Sequence, residues 1–239
     1  MNVCVCVCVC VCVCHGVCGA RARVFVRACC GYRYCDYCEY GNQRLKALPA
    51  SIGHLVGLRT IQITGMYALE RLPDDLSKLT GLSNLEIGDC GSECRQSRKM
   101  LSASIGDIMV KLTNLQVLSL RRVNIKELPA GMGMLTKLQV LVLEDLDISS
   151  PKLRKLPNGI GDLRSLTNLS LSRMQALRRL PASIMHLTRL QQLSIEWCGL
   201  KKMPNIQSLT ALDTLVLNVS DYNRSCQVYQ VLMCSLTTY

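Results

Sequence analysis

The sequence predicts an α/β fold of stacked repeats. It reads as a curved horseshoe solenoid, with a parallel β-sheet on the concave face and short helices or 3₁₀ turns on the convex face. Three observations carry that prediction. The spacing Leu-x-x-Leu-x-Leu recurs seven times between Leu45 and Val219, and a Leu-Pro landmark returns with a base period near 23 to 24 residues, the mark of a repeat protein. Hydrophobic residues make up 49% of the chain but aromatic residues only 4%, with one Phe and one Trp. A core must then be built from Leu, Ile, Val and Met, which suits many small layers better than one aromatic-centred core.

Each repeat has two parts. The first opens with Leu58, Ile61 and Ile63 and returns as Leu82, Leu85, Ile87, then Leu115, Leu118, Leu120. It continues as Leu138, Leu141, Leu143; Leu166, Leu169, Leu171; Leu190, Leu193, Ile195; and Leu212, Leu215, Leu217. The closing x-Leu-x-Leu-x alternates with period two and reads as a short strand, its leucines inward and the residues between them on the open face. The second part starts at the prolines of Leu48-Pro49, Leu72-Pro73, Leu128-Pro129, Leu156-Pro157, Leu180-Pro181 and Met203-Pro204, with Leu101-Ser102 standing in the same place. Successive spacings from Pro49 are 24, 29, 27, 28, 24 and 23 residues. Ile and Leu three apart, as in PASIGHLVGL at residues 49–58, put one apolar edge on a short helical turn. Proline suits the start of such a turn because its missing N–H would be unpaired there. The glycine interrupts any longer helix. One unit alone cannot bury its leucines, whereas stacked neighbours align them into continuous columns.

These repeats resemble the leucine-rich repeat family over residues 45–219. The slot where many such repeats carry Asn holds Met66, Cys90, Val123, Leu146, Met174, Cys198 and Ser220. Lines such as LSIEWCGLKKMP are similar to the repeats of plant intracellular disease-resistance proteins. Lines such as LKALPASIGHLVGL are equally similar to the Ras-group leucine-rich repeat proteins of animals and plants. The Asn ladder is missing in both variants, so its absence excludes neither. The resemblance implies a non-catalytic scaffold whose concave sheet grips another protein, in signalling or defence-related recognition. The competing reading is a partial gene product, the repeat fragment of a larger nucleotide-binding resistance-type protein without independent function.

Residues 42–220 form the repeat domain, and 221–239 read as a C-terminal tail or partial cap. Residues 1–41 are a low-complexity Cys/Val-rich segment, expected to be disordered or a gene-model artefact. Residues 3–14 are a strict Val-Cys alternation, strand-like in period, and translation of a GTGTGT tract accounts for it as a gene-model product without a selected fold. A signal peptide is disfavoured because no Lys or Arg precedes the apolar run. A zinc site at Cys29, Cys30, Cys35 and Cys38 offers one Cys-x-x-Cys pair where a ribbon needs two. Of the 16 cysteines, 11 precede Gly41, and the repeat body holds Cys90, Cys94 and Cys198. Disulfide staples would be spread through the part they hold, so the body reads as a reduced, cytoplasmic chain. Cys90 and Cys94 stay more simply a slot residue and a loop residue than a disulfide or metal pair. Two insertions, residues 88–99 and 145–152, read as loops.

No Gly-x-x-x-x-Gly-Lys-Ser/Thr loop is present, and no Ser-His-Asp or Cys-His arrangement stands near a glycine elbow. His54 and His186 share one surface slot. Catalysis, a cofactor and a bound metal are therefore not expected, and the candidate sites are surfaces. On the open face, Asp89, Arg122, Asp145, Arg173 and Trp197 take the same place in successive repeats, flanked by Arg121, Glu144 and Glu196. The charges would pair across strands, and Trp197 is either a binding anchor or a lid over the last repeats. A second ladder precedes each proline: Arg71, Lys126, then Arg154 and Lys155, Arg178 and Arg179, Lys201 and Lys202. Its last three layers hold six cations and no acid. With a net charge of +11, an acidic protein surface suits this edge, and anionic lipid headgroups are a second option. Nucleic acid is disfavoured because no aromatic residues interleave. No transmembrane span is expected.

Overall fold

The computed structural model describes residues 2–7, 9–14, 22–28, 46–64, 66, 69–90, 102–123, 125, 127–146 and 153–218. Ten strands lie side by side in chain order in one sheet. They are β1 (Asn2–Val7), β2 (Val9–Cys14), β3 (Ala22–Ala28), β4 (Leu58–Thr64), β5 (Asn84–Cys90), β6 (Val117–Val123), β7 (Val140–Glu144), β8 (Asn168–Ser172), β9 (Gln192–Glu196) and β10 (Thr214–Asn218). β1 to β3 pair antiparallel, and every pairing from β3 to β10 is parallel. The Val-Cys alternation is thus laid out as β1 and β2. Its reading as a dinucleotide-repeat product concerns origin rather than conformation.

β4 to β10 are the seven strands read from the leucine spacing. Their register puts Ile61, Leu85, Leu118, Leu141, Leu169, Leu193 and Leu215 in one column and Ile63, Ile87, Leu120, Leu143, Leu171, Ile195 and Leu217 in the next. From β4 to β9 these side chains are buried. Met66, Val123, Leu146, Met174 and Cys198 are buried too, so the slot that holds Asn in other repeats here adds to the apolar core. Cys198 keeps a trace of the polar role, its thiol 3.5 Å from the carbonyl of Leu171. In the last layer Leu212, Leu215 and Leu217 are only half-buried.

The convex face carries 3₁₀ turns at Ala50–His54, Asp74–Lys78, Ala130–Met134, Asn158–Asp162 and Ala182–His186. The prolines sit one residue before them, extended at φ near −66° (Pro49, Pro157 and Pro181). Each offers its carbonyl to the N–H three residues on, as Pro181 does to Ile184 at 3.1 Å. Proline therefore caps the turn rather than occupying its first position. The glycines do more than interrupt a helix. A Cβ on Gly53 would collide with the carbonyl oxygen of Asp75, and one on Gly161 with that of Ser183, so these positions set how closely successive turns approach. In the third repeat the turn becomes a helix, α1 (Ser102–Met109). Ile105, Ile108, Met109 and Leu112 are all buried there, and their i, i+3, i+4, i+7 spacing supports a longer helical face.

The insertion at residues 88–99 is not all loop, because Gly88, Asp89 and Cys90 continue β5. Cys94, residues 147–152, Lys126, the cysteines at 29, 30, 35 and 38, and the tail at 221–239 lie outside the described residues.

Candidate protein-binding face

Residues between the strand leucines form three rows across the concave face. The first runs Thr60, Asn84, Val117, Val140, Asn168, Gln192, Thr214. The second runs Gln62, Glu86, Ser119, Val142, Ser170, Ser194, Val216, and the third Thr64, Gly88, Arg121, Glu144, Ser172, Glu196, Asn218. At the first strands the middle row is long and self-paired, Gln62 Nε2 donating to Glu86 Oε2 at 3.2 Å. From β7 onward it shrinks to Val142, Ser170, Ser194 and Val216. A groove of about 200 Å³ opens over them, walled by Val140, Asn168, Gln192 and Thr214. A reading centred on charges misses this groove. Its signal is the run of short residues between paired strand leucines.

The expected ladder lies one step beyond that floor. Alternation would turn the residue after the third row inward like a leucine. Instead Arg122, Asp145, Arg173 and Trp197 take φ of 50°, 50°, 54° and 56°, the left-handed region that bulky residues seldom enter. The turn carries them to the rim at the carboxyl ends of the strands, and the ladder of hydrogen bonds continues through them. Asp145 N–H donates to the Ser172 carbonyl at 2.9 Å, Arg173 N–H to that of Glu196 at 2.8 Å, and Trp197 N–H to that of Asn218 at 2.6 Å. A cross-strand ion pair on this face joins third-row residues, Arg121 Nε to Glu144 Oε2 at 3.7 Å. Trp197 does not fold into the core. It is 45% exposed, and its carbonyl accepts from Gln175 Nε2 at 2.9 Å. Beside it, Glu196 Oε1 accepts from Ser194 Oγ at 2.8 Å. The side chain of Asp89 lies outside the described residues.

The second ladder is also a backbone ladder. Isolated parallel bridges join Ala47 to Arg71, Lys155 to Arg179, and Arg179 to Lys202. Arg178 N–H donates to the Arg154 carbonyl at 3.3 Å and Lys201 N–H to that of Arg178 at 3.0 Å. Arg154, Lys155, Arg178, Arg179, Lys201 and Lys202 are all exposed. Arg178 Nη1 also donates to the carbonyl of Gly199, two residues beyond Trp197, at 3.4 Å. His54 and His186 are exposed on their turns. Among the described residues no three His, Cys, Asp or Glu side chains converge on a metal-sized site, and no helix is long and apolar enough to cross a membrane.

No family model matches the chain. Disease resistance-like protein DSC1 of Arabidopsis thaliana is 29% identical over 184 residues, 71% of this chain and 15% of that protein. TMV resistance protein N of Nicotiana glutinosa is 29% identical over 195 residues, 79% of this chain and 15% of that protein. The chain thus spans about 15% of the length of these curated relatives. Among solved structures, the Arabidopsis receptor kinase HAESA, in complex with the peptide hormone IDA and the co-receptor SERK1, matches with a TM-score of 0.50. Its sequence identity is 20%, and the match covers 73% of this chain and 32% of that one. With the parallel strands, leucine columns and convex turns, the fold is that of a leucine-rich repeat solenoid. Its repeats are similar to those of plant disease-resistance proteins.

Proposed function

We propose that the chain is a protein–protein interaction scaffold without catalytic activity, working in the cytoplasm in signalling or defence-related recognition. Its partner seats in the groove over β7 to β10 and packs on Trp197. The exposed Trp197, which follows β9 directly, and the open groove over the first two rows of the same sheet carry this reading, because aromatic anchors dominate the energy of protein interfaces. The contact residues sit on rigid, mutually bonded strands, so little ordering entropy opposes binding. The resistance relatives support the defence context. The HAESA complex with a peptide and a co-receptor supports the use of such a solenoid for polypeptide partners. The short span against those relatives favours a second reading, in which the chain corresponds to the repeat portion of a larger nucleotide-binding resistance-type protein and has no independent function.

Affinity capture from source tissue, with wild type compared against Trp197→Gly and Val142→Arg, tests the proposal. Glycine keeps the left-handed conformation at position 197 without steric cost. Each variant is expected to weaken partner binding by about 2 kcal/mol, roughly thirtyfold, with Trp197→Gly melting no lower than wild type. Identical captured partners for all three proteins would remove the groove from consideration.

A further inference from the structure

The last three layers of the basic rim gather six cations that no described acid offsets. Near the start of the solenoid the same ladder is neutralised, Lys46 meeting Glu70 at 3.8 Å. In its last three layers, Arg154 and Lys155, Arg178 and Arg179, and Lys201 and Lys202 stack with no ion pair to any described residue. Glu127, one layer earlier and exposed, makes none with Lys155. The backbone bridges Lys155–Arg179–Lys202 hold like charges at the pitch of a sheet, about 4.8 Å per layer. Directly opposed like charges are destabilising, so the fold carries this rim at a cost.

We infer that the rim binds an acidic, extended segment of a partner polypeptide. This rests on the scaffold reading and specifies the partner's chemistry. Three layers span roughly 10 Å, and an extended chain rises about 3.3 Å per residue, so an acidic run of three or four residues covers the rows. The 239 residues contain no three consecutive acids, so no run within them matches the rows. A membrane is a poorer match because a broad anionic surface would also meet the acids Glu144 and Glu196 of the third concave row, which a narrow extended segment avoids. Nucleic acid is a poorer match because no aromatic residue interleaves the six cations.

The test uses the full 239-residue chain, with fluorescein-labelled deca-glutamate and deca-glutamine as probes, read by anisotropy across a salt series. Deca-glutamate is expected to bind with an affinity that falls as salt rises, and deca-glutamine not to bind. Arg179→Glu, which sets an acid between Lys155 and Lys202, is expected to weaken deca-glutamate about tenfold while raising the melting temperature. Lys111→Glu, an exposed reversal on the convex side, should change binding less than about twofold. A rim that served only the fold would instead lose stability on Arg179→Glu. That result overturns the inference, as do equal weakening by Lys111→Glu, absent deca-glutamate binding, or tighter binding to phosphatidylserine vesicles or oligo-dT than to deca-glutamate. Trp197→Gly should leave deca-glutamate binding intact. If no captured partner depends on Trp197 or Val142 yet the rim variants behave as expected, the groove assignment fails and the rim stands; the converse removes the rim and leaves the groove.

Discussion

At the scale of single residues, the left-handed conformation that recurs at the end of β6 and directly after β7, β8 and β9 explains why the rim exists there. A non-glycine residue at φ near 50° gives up about 1–2 kcal/mol, and this happens at Arg122, Asp145, Arg173 and Trp197 in successive repeats. The cost persists because relaxing φ would break the bond from each N–H to the next strand, as from Asp145 to Ser172 at 2.9 Å. A β-branched residue cannot take that conformation without further strain, whereas Asn enters it readily. Asp145→Val is therefore expected to lower unfolding free energy by about 1–2 kcal/mol, and Asp145→Asn by less than about 0.5. Urea melts of the two variants check the difference. Equal midpoints would mean that φ at this position relaxes freely.

At the scale of elements, the two kinds of convex segment respond oppositely to one substitution. Gly161 faces the backbone of the next turn at Ser183, so Gly161→Ala must push two layers apart, an overpacking cost of about 1–3 kcal/mol. Gly106 lies inside α1, and a Cβ there would meet only Pro129 Cβ at an ordinary 3.5 Å. Gly106→Ala should stabilise the protein by about 0.5–1 kcal/mol by reducing the freedom of the unfolded chain. Thermal unfolding of both variants is decisive, and the same sign for both would contradict the layer-contact role of Gly161. The α1 helix belongs to the short helices or 3₁₀ turns expected on the convex face, and the helical spacing of Ile105, Ile108, Met109 and Leu112 accounts for its greater length.

At the scale of the whole molecule, each layer is held by its neighbours, so stability is distributed along the axis rather than concentrated in one core. Layers with two buried neighbours should open least. The last described layer, with Leu212, Leu215 and Leu217 half-buried, should open most. Amide exchange in β10 is therefore expected to run at least about tenfold faster than in β7 or β8; uniform protection from β7 to β10 would show that the terminal layer is as well covered as the middle.

The columns, the strand register and the convex turns were readable from leucine spacing because a repeat can bury its apolar edge only by stacking in phase. The basic rim was readable for a related reason: residues at a fixed offset in each repeat become neighbours once that phase is known. Three features needed the tertiary structure. The left-handed conformation at Arg122, Asp145, Arg173 and Trp197 moved these residues from the sheet floor to its rim, a choice set by hydrogen bonds to the following strand rather than by residue type. The groove over β7 to β10 depends on short side chains from different repeats falling side by side, which no single repeat displays. The glycine contacts depend on how closely successive turns approach, a distance fixed by packing across layers.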